Sequence, residues 1–136
     1  MKQLLLLLLG AHLAIVALRI PSKHWGNRLD EIQRYQEQGR YHFYFRQEQR
    51  QNGDLLQWLA ENTPQDSVLL WRGEWKGALE FAPALLWPRL LVDARALPPG
   101  QDSFHGRKVA AGRYPGLGSG QFVIVAEADL LHLELR

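Results

Sequence analysis

Two short, wholly apolar runs constrain this chain more than any other feature. Residues 68–71 read VLLW and residues 90–92 read LLV, each flanked by turn formers or polar residues. Such runs are too short for helices, and a strand with one wet face would alternate apolar and polar residues. A strand covered on both faces shows no alternation. Between the runs, "RGEWKG" is a glycine-bounded turn, and "ALEFAPALLWP" is helix-like, with Pro83 expected to begin or kink it. Strand, helix and strand within about 30 residues make a βαβ unit with parallel strands and a right-handed crossover.

The segments around this unit extend it into a domain. "NGDLLQWLAENTP" reads as an amphipathic helix capped by Asn52 or Asp54, with Leu55, Leu56, Trp58 and Leu59 on its buried side. Pro64 stops that helix and pushes Thr63 out of the α region. Residues 95–120 are rich in Pro, Gly, Ser and Asp and read as loop, with "RKVAA" as a short edge strand. Residues 122–125 form a third apolar strand. Leu131, Leu133 and Leu135 alternate with His132, Glu134 and Arg136, the period of a strand with one wet face. Together they predict a hairpin turning at residues 127–129; a C-terminal helix from Ala128 is the alternative. Trp71, Trp75 and Trp87 are expected to supply core bulk. The expected fold class is α/β: a small βαβ-containing mixed sheet of three to five strands with flanking helices, over residues 52–136. A length of 136 residues with 46% hydrophobic composition suits one such domain.

The N-terminus is of another kind. Residues 4–9 are all leucine, and His12 is the single polar side chain between residues 4 and 18. Fifteen helical residues span about 22 Å, short of a hydrocarbon core of about 30 Å. Extension through Ile20, with Lys2 and Arg19 reaching to the headgroups, closes most of that gap. The expectation is an uncleaved membrane anchor over residues 1–21, with Lys2, Arg19 and Trp25 at the interface. A cleaved signal peptide is the competing reading, but cleavage after Ala14 or Ala17 would put His12 or Ile15 where a small residue is preferred. Arg19, Lys23 and Arg28 pull the following side inward by the positive-inside rule, whereas the signal-anchor pattern exports it. Export is the expectation adopted, which places the protein in a bacterial inner membrane as a single-pass chain with its soluble part extracytoplasmic.

Residues 22–51 read as a Gln- and Arg-rich helical connector. Ser22 is a candidate cap, and Trp25, Leu29, Ile32 and Tyr35 form one apolar stripe up to a stop at Gly39. "YHFYF", residues 41–45, puts four aromatics in five positions. Packing on the domain is favoured over an interfacial belt.

Chemistry-bearing motifs are few. "GLGSG" (116–120) precedes a strand, whereas a phosphate-cradling loop follows one and opens a helix, so it reads as flexible loop. The five histidines show no paired-ligand spacing and there is no cysteine, so no metal site, no cofactor and no thiol chemistry is expected. A net charge of +2 excludes a nucleic-acid footprint. Ser67, Ser103 and Ser119 lack a nucleophile-elbow context. Asp93 ends an expected parallel strand, where α/β sheets place ligand groups; with Arg72 and Glu74 it forms the candidate ligand site, against the simpler reading of Asp93 as a cap or turn former.

"DLLQWLAENTPQDSVLL" and "PALLWPRLLVDA" resemble junctions in bacterial polytopic membrane proteins of the type C glycosyltransferase kind. There a Trp-Leu helix end, an Asn/Thr-Pro stop and a buried strand open a small extracytoplasmic α/β domain. The resemblance covers residues 54–94. It implies a fold and a compartment but no catalytic residue, because those enzymes keep their catalytic acid in loops of a multi-span region. Two function classes follow. One is a membrane-anchored envelope accessory or interaction protein without catalysis of its own, partnered by membrane lipid and a membrane protein or envelope assembly. The other is a small envelope enzyme or glycan-binding module.

Overall fold

The computed structural model describes the backbone of residues 2–136 and the side chains of residues 8–15 and 26–136. The chain forms two compact units, Met1–Gly39 and Arg40–Arg136.

The first unit is helix α1, Lys2–Gln38. It ends at Gly39, whose positive φ of 75° and N–H bond to the Tyr35 carbonyl (2.8 Å) close the last turn, as the sequence leads one to expect. No helix among the described residues is long and apolar enough to cross a membrane. The interface residues Lys2, Arg19 and Trp25 lie outside the residues whose side chains are described, and Ser22 is no cap, because α1 runs through it without a break.

The second unit is an α/β domain with a mixed sheet and flanking helices. Helix α2 spans Arg50–Asn62, β1 Val68–Gly73, α3 Ala78–Leu86 and β2 Leu90–Asp93. Short strands β3 (Ser103–Phe104) and β4 (Arg107–Lys108) form a hairpin of their own. Strands β5 (Ala111–Tyr114), β6 (Gly118–Glu127) and β7 (Leu130–Leu135) complete the main sheet of five strands. β1 lies between β2 and β6 and is parallel to both, with Leu69 opposite Leu91 and Trp71 opposite Ile124. β6 runs antiparallel to β7, with Ile124 opposite Leu133.

Both faces of the sheet are covered around β1, which is why β1 shows no alternation. Leu69 turns to the side of α2 and α3, among Leu56, Leu59, Leu79, Leu86, Ile124 and Leu133. Val68 and Leu70 turn to the other side, among Val92, Leu97, Val109, Val123 and Val125, with Phe104 packed on them. The long loop 97–110 thus does the work of a second layer. Val68, Leu69 and Leu70 are 0%, 2% and 0% exposed. The end of β1 is fixed by Gly73: a Cβ there would lie 2.2 Å from the Ala126 carbonyl oxygen, and its φ of +114° suits only glycine.

Several expectations are corrected. The domain begins at Arg40 rather than near residue 52, because Phe45 is buried in the helix-side core and Tyr41 packs against it. The aromatics 41–45 therefore pack on the domain. Asn52 is no cap: it lies inside α2, fully buried, and its side chain donates to the Asp129 carbonyl (2.7 Å) and accepts from the Leu131 N–H (2.8 Å). The glycine-rich stretch is half strand, with Gly120 opposite Gly112 in the β5–β6 pair; a Cβ at Gly120 would stand 3.2 Å from the Leu135 side chain, a tight approach. Trp87 is 73% exposed and Trp75 45%, so neither is core bulk. The core volume comes instead from leucines on α2 and α3. Pro83 does not begin α3 but sits inside it.

The burial of β1 predicts that Leu69→Ala costs roughly 2–5 kcal/mol, through lost transfer energy and the cavity left behind. Urea unfolding measures this, and a loss under about 0.5 kcal/mol would contradict a central β1.

Candidate functional site

Arg72, Glu74 and Asp93 do not converge. Asp93 stands opposite Trp71 in the β1–β2 register, so its side chain and that of Arg72, one residue on, leave opposite faces of the sheet. Each of the three is held by a different partner. Asp93 accepts from the Arg95 backbone N–H (2.9 Å) and guanidinium (2.6 Å), capping the 3-10 turn Ala94–Ala96. The side chain and backbone of Arg95 hold its carboxyl below the usual range. Glu74 pairs with Lys76, which lowers the Glu74 pKa and raises that of the lysine. Arg72 donates across the sheet to Glu134 on β7. These are exposed pairs of the kind that contribute little to stability.

A different arrangement is concave. Gln51, Asp54, Leu55 and Trp58 follow one another at i, i+3, i+4 and i+7 on α2, so they share one helix face beside the buried one. That face looks across to Tyr114 and Pro115 at the end of β5 and to β7, enclosing a cleft of about 520 Å³ floored by Leu55, Leu131 and Leu133. Trp58 is set in place from two sides, edge-on to Tyr114 at 4.7 Å and 84° and to Phe122 at 5.9 Å. Asp54 is held through one oxygen by the His42 imidazole at 2.8 Å. By spacing alone Asp54 reads as a helix cap and Trp58 as core. The cleft is legible only once Tyr114 and β7 are known to face α2, a contact 56 residues away along the chain between Trp58 and Tyr114.

The polar groups of this cleft are open. No buried side-chain nitrogen or oxygen lacks a partner among the described residues, and within those residues the Trp58 indole N–H, the Tyr114 hydroxyl and the Gln51 amide make no hydrogen bond, so all three reach solvent. The His42–Asp54 pair has two of the three parts of a hydrolytic triad. Among the described residues no Ser or Thr hydroxyl bonds its imidazole: Ser67 donates to the Pro64 carbonyl and Thr63 to the Leu59 carbonyl. No group of His, Asp or Glu side chains among the described residues is placed to hold a metal ion. The arrangement is suited to binding through an aromatic wall and a few hydrogen bonds.

The Arg72–Glu134 contact yields a pH prediction. The His132 imidazole and the Arg72 guanidinium hold the Glu134 carboxyl below its ordinary 4.5. A carboxyl depressed in the folded state stabilises at neutral pH, and that contribution disappears as pH falls through the folded pKa. In a carboxyl-carbon NMR titration, His132→Ala and Arg72→Ala should each move the Glu134 midpoint upward; a midpoint unmoved by both would contradict the pairing. No protein-family model, no curated protein and no solved structure matches this chain, so its functional reading rests on its own geometry.

Proposed function

We propose that this is a membrane-anchored envelope protein of accessory or interaction type. Residues 1–20 seat it in a bacterial inner membrane, and the α/β unit Arg40–Arg136 is presented on the extracytoplasmic side to a membrane protein or envelope assembly. The observation that carries the reading is the surface of α1. Leu8, Leu9, Leu13 and Ile15 are each more than half exposed, and at 100° per residue they fall on more than one side of the helix. Apolar side chains exposed on more than one side of a helix call for an apolar solvent. The leucine run of residues 4–9 extends the same character toward Lys2. The likeness of residues 54–94 to the junctions of type C glycosyltransferase-like membrane proteins supports the same compartment, with a multi-span protein of that kind as the natural partner.

Fractionation after a carbonate wash tests the anchor. The expected result is full-length protein in the membrane pellet. Full-length protein in the soluble fraction, or a product shortened after Ala14 or Ala17, would overturn it.

A further inference from the structure

We infer that the cleft between α2 and β7 binds a neutral oligosaccharide, one or two sugar rings at a time, against Trp58 and Tyr114. The inference rests on the cleft alone and not on the membrane anchor. Its volume of about 520 Å³ lies within the roughly 300–1,000 Å³ of small-molecule sites.

The chemistry of the lining selects the class. A sugar ring has an apolar face of C–H groups that suits the electron-rich face of an aromatic ring, and hydroxyls that each donate and accept. The cleft answers both. Trp58 is fixed edge-on against Tyr114 and Phe122, so its indole is a prepositioned wall. Around it stand an indole N–H donor, a phenol that donates and accepts, and the Gln51 amide, which does both; none is used by the fold. Asp54 adds a charged acceptor: one oxygen is oriented by His42, and the carboxylate is 66% exposed. Carboxylate acceptors make the stronger kind of hydrogen bond to hydroxyl donors.

The same groups weigh against other ligands. A phosphate or acidic sugar would meet Asp54 as a like charge, and the one imidazole in the lining, His132, is already turned to Glu134. A proline-rich peptide would find the aromatic wall and the indole donor, but prolines have no N–H for Asp54 to accept. A purely apolar ligand would cover the indole, phenol and amide without satisfying them, which costs about 1–3 kcal/mol each.

Ligand-observed saturation-transfer NMR on the full-length chain in a non-glycosidic detergent tests this, with maltotriose, N,N′,N″-triacetylchitotriose and an oligoproline peptide as separate probes. The expected result is transfer to the ring protons of at least one sugar, with affinity weakened about tenfold or more by Asp54→Asn or Gln51→Ala. Both substitutions are at solvent-facing positions of α2, and an unchanged thermal transition verifies that they leave the fold intact. Transfer to neither sugar, transfer to the oligoproline alone, or sugar binding unaltered by both substitutions would each overturn the inference. None of these outcomes bears on the carbonate fractionation, so binding and anchoring fail or stand separately.

Discussion

A buried guanidinium organises the joint on which the domain is built. Arg89 is 7% exposed and pairs with no carboxylate among the described residues. It donates to the Thr63 hydroxyl (2.7 Å), the Thr63 carbonyl (2.5 Å) and the Ala60 carbonyl (2.6 Å), with a longer contact of 3.5 Å to the Leu86 carbonyl. Ala60 and Thr63 belong to the end of α2, and Leu86 to the end of α3. The last carbonyls of a helix have no intrahelical donors and carry the negative end of its dipole. One planar, five-donor group supplies what both ends lack, and no lysine could span that arrangement. Arg89 also immediately precedes β2, so the same residue that joins the helices delivers Leu90 to Ser67, whose carbonyl accepts from the Leu90 N–H at 3.1 Å and starts the β1–β2 register.

The opposite end of α2 is fixed in the same currency. Asn52 bonds both the Asp129 carbonyl and the Leu131 N–H, linking the first turns of α2 to the β6–β7 turn. Buried polar groups satisfied in this way rigidify a core, and half-satisfied ones destabilise it. A second arginine repeats the device on the other side of the sheet: Arg136 donates to the Leu97 carbonyl (2.7 Å) and the Gln101 carbonyl (2.8 Å), tying the covering loop to the sheet. The wall of the cleft inherits this stiffness, because Trp58 sits on a helix pinned at both ends.

What the sequence made legible was whatever depends on local pattern. The runs at 68–71 and 90–92 predict doubly covered parallel strands, and the alternation of Leu131 with His132 predicts β7. Both are present because burial on one or two faces writes itself directly into period. What it hid depends on distant partners. Nothing near Arg89 signals burial, since its shortest bonds go to acceptors 26 and 29 residues away. Asn52 looks like a cap because caps and buried amides use the same residue. Trp87 looks like core because a tryptophan gives no sign of which way it faces. Of the candidate site, Gln51, Asp54 and Trp58 are a helix face readable from spacing, whereas Tyr114 and β7 join them only through the fold. The expected trio Arg72, Glu74 and Asp93 was grouped by nearness to strand ends, and alternation of side chains across the sheet separates it.

The joint between the helices and β2 depends on Arg89. Replacing it with methionine retains most of the apolar stem but leaves the Ala60 and Thr63 carbonyls buried without donors, at roughly 1–3 kcal/mol for each group. Urea unfolding of Arg89→Met against the parent is the direct measurement. A loss of roughly 2–5 kcal/mol, with an unchanged dependence on denaturant, is the predicted result. A variant within about 0.5 kcal/mol of the parent would show that the helix ends do not need the guanidinium, and would contradict this view of how the domain is held together.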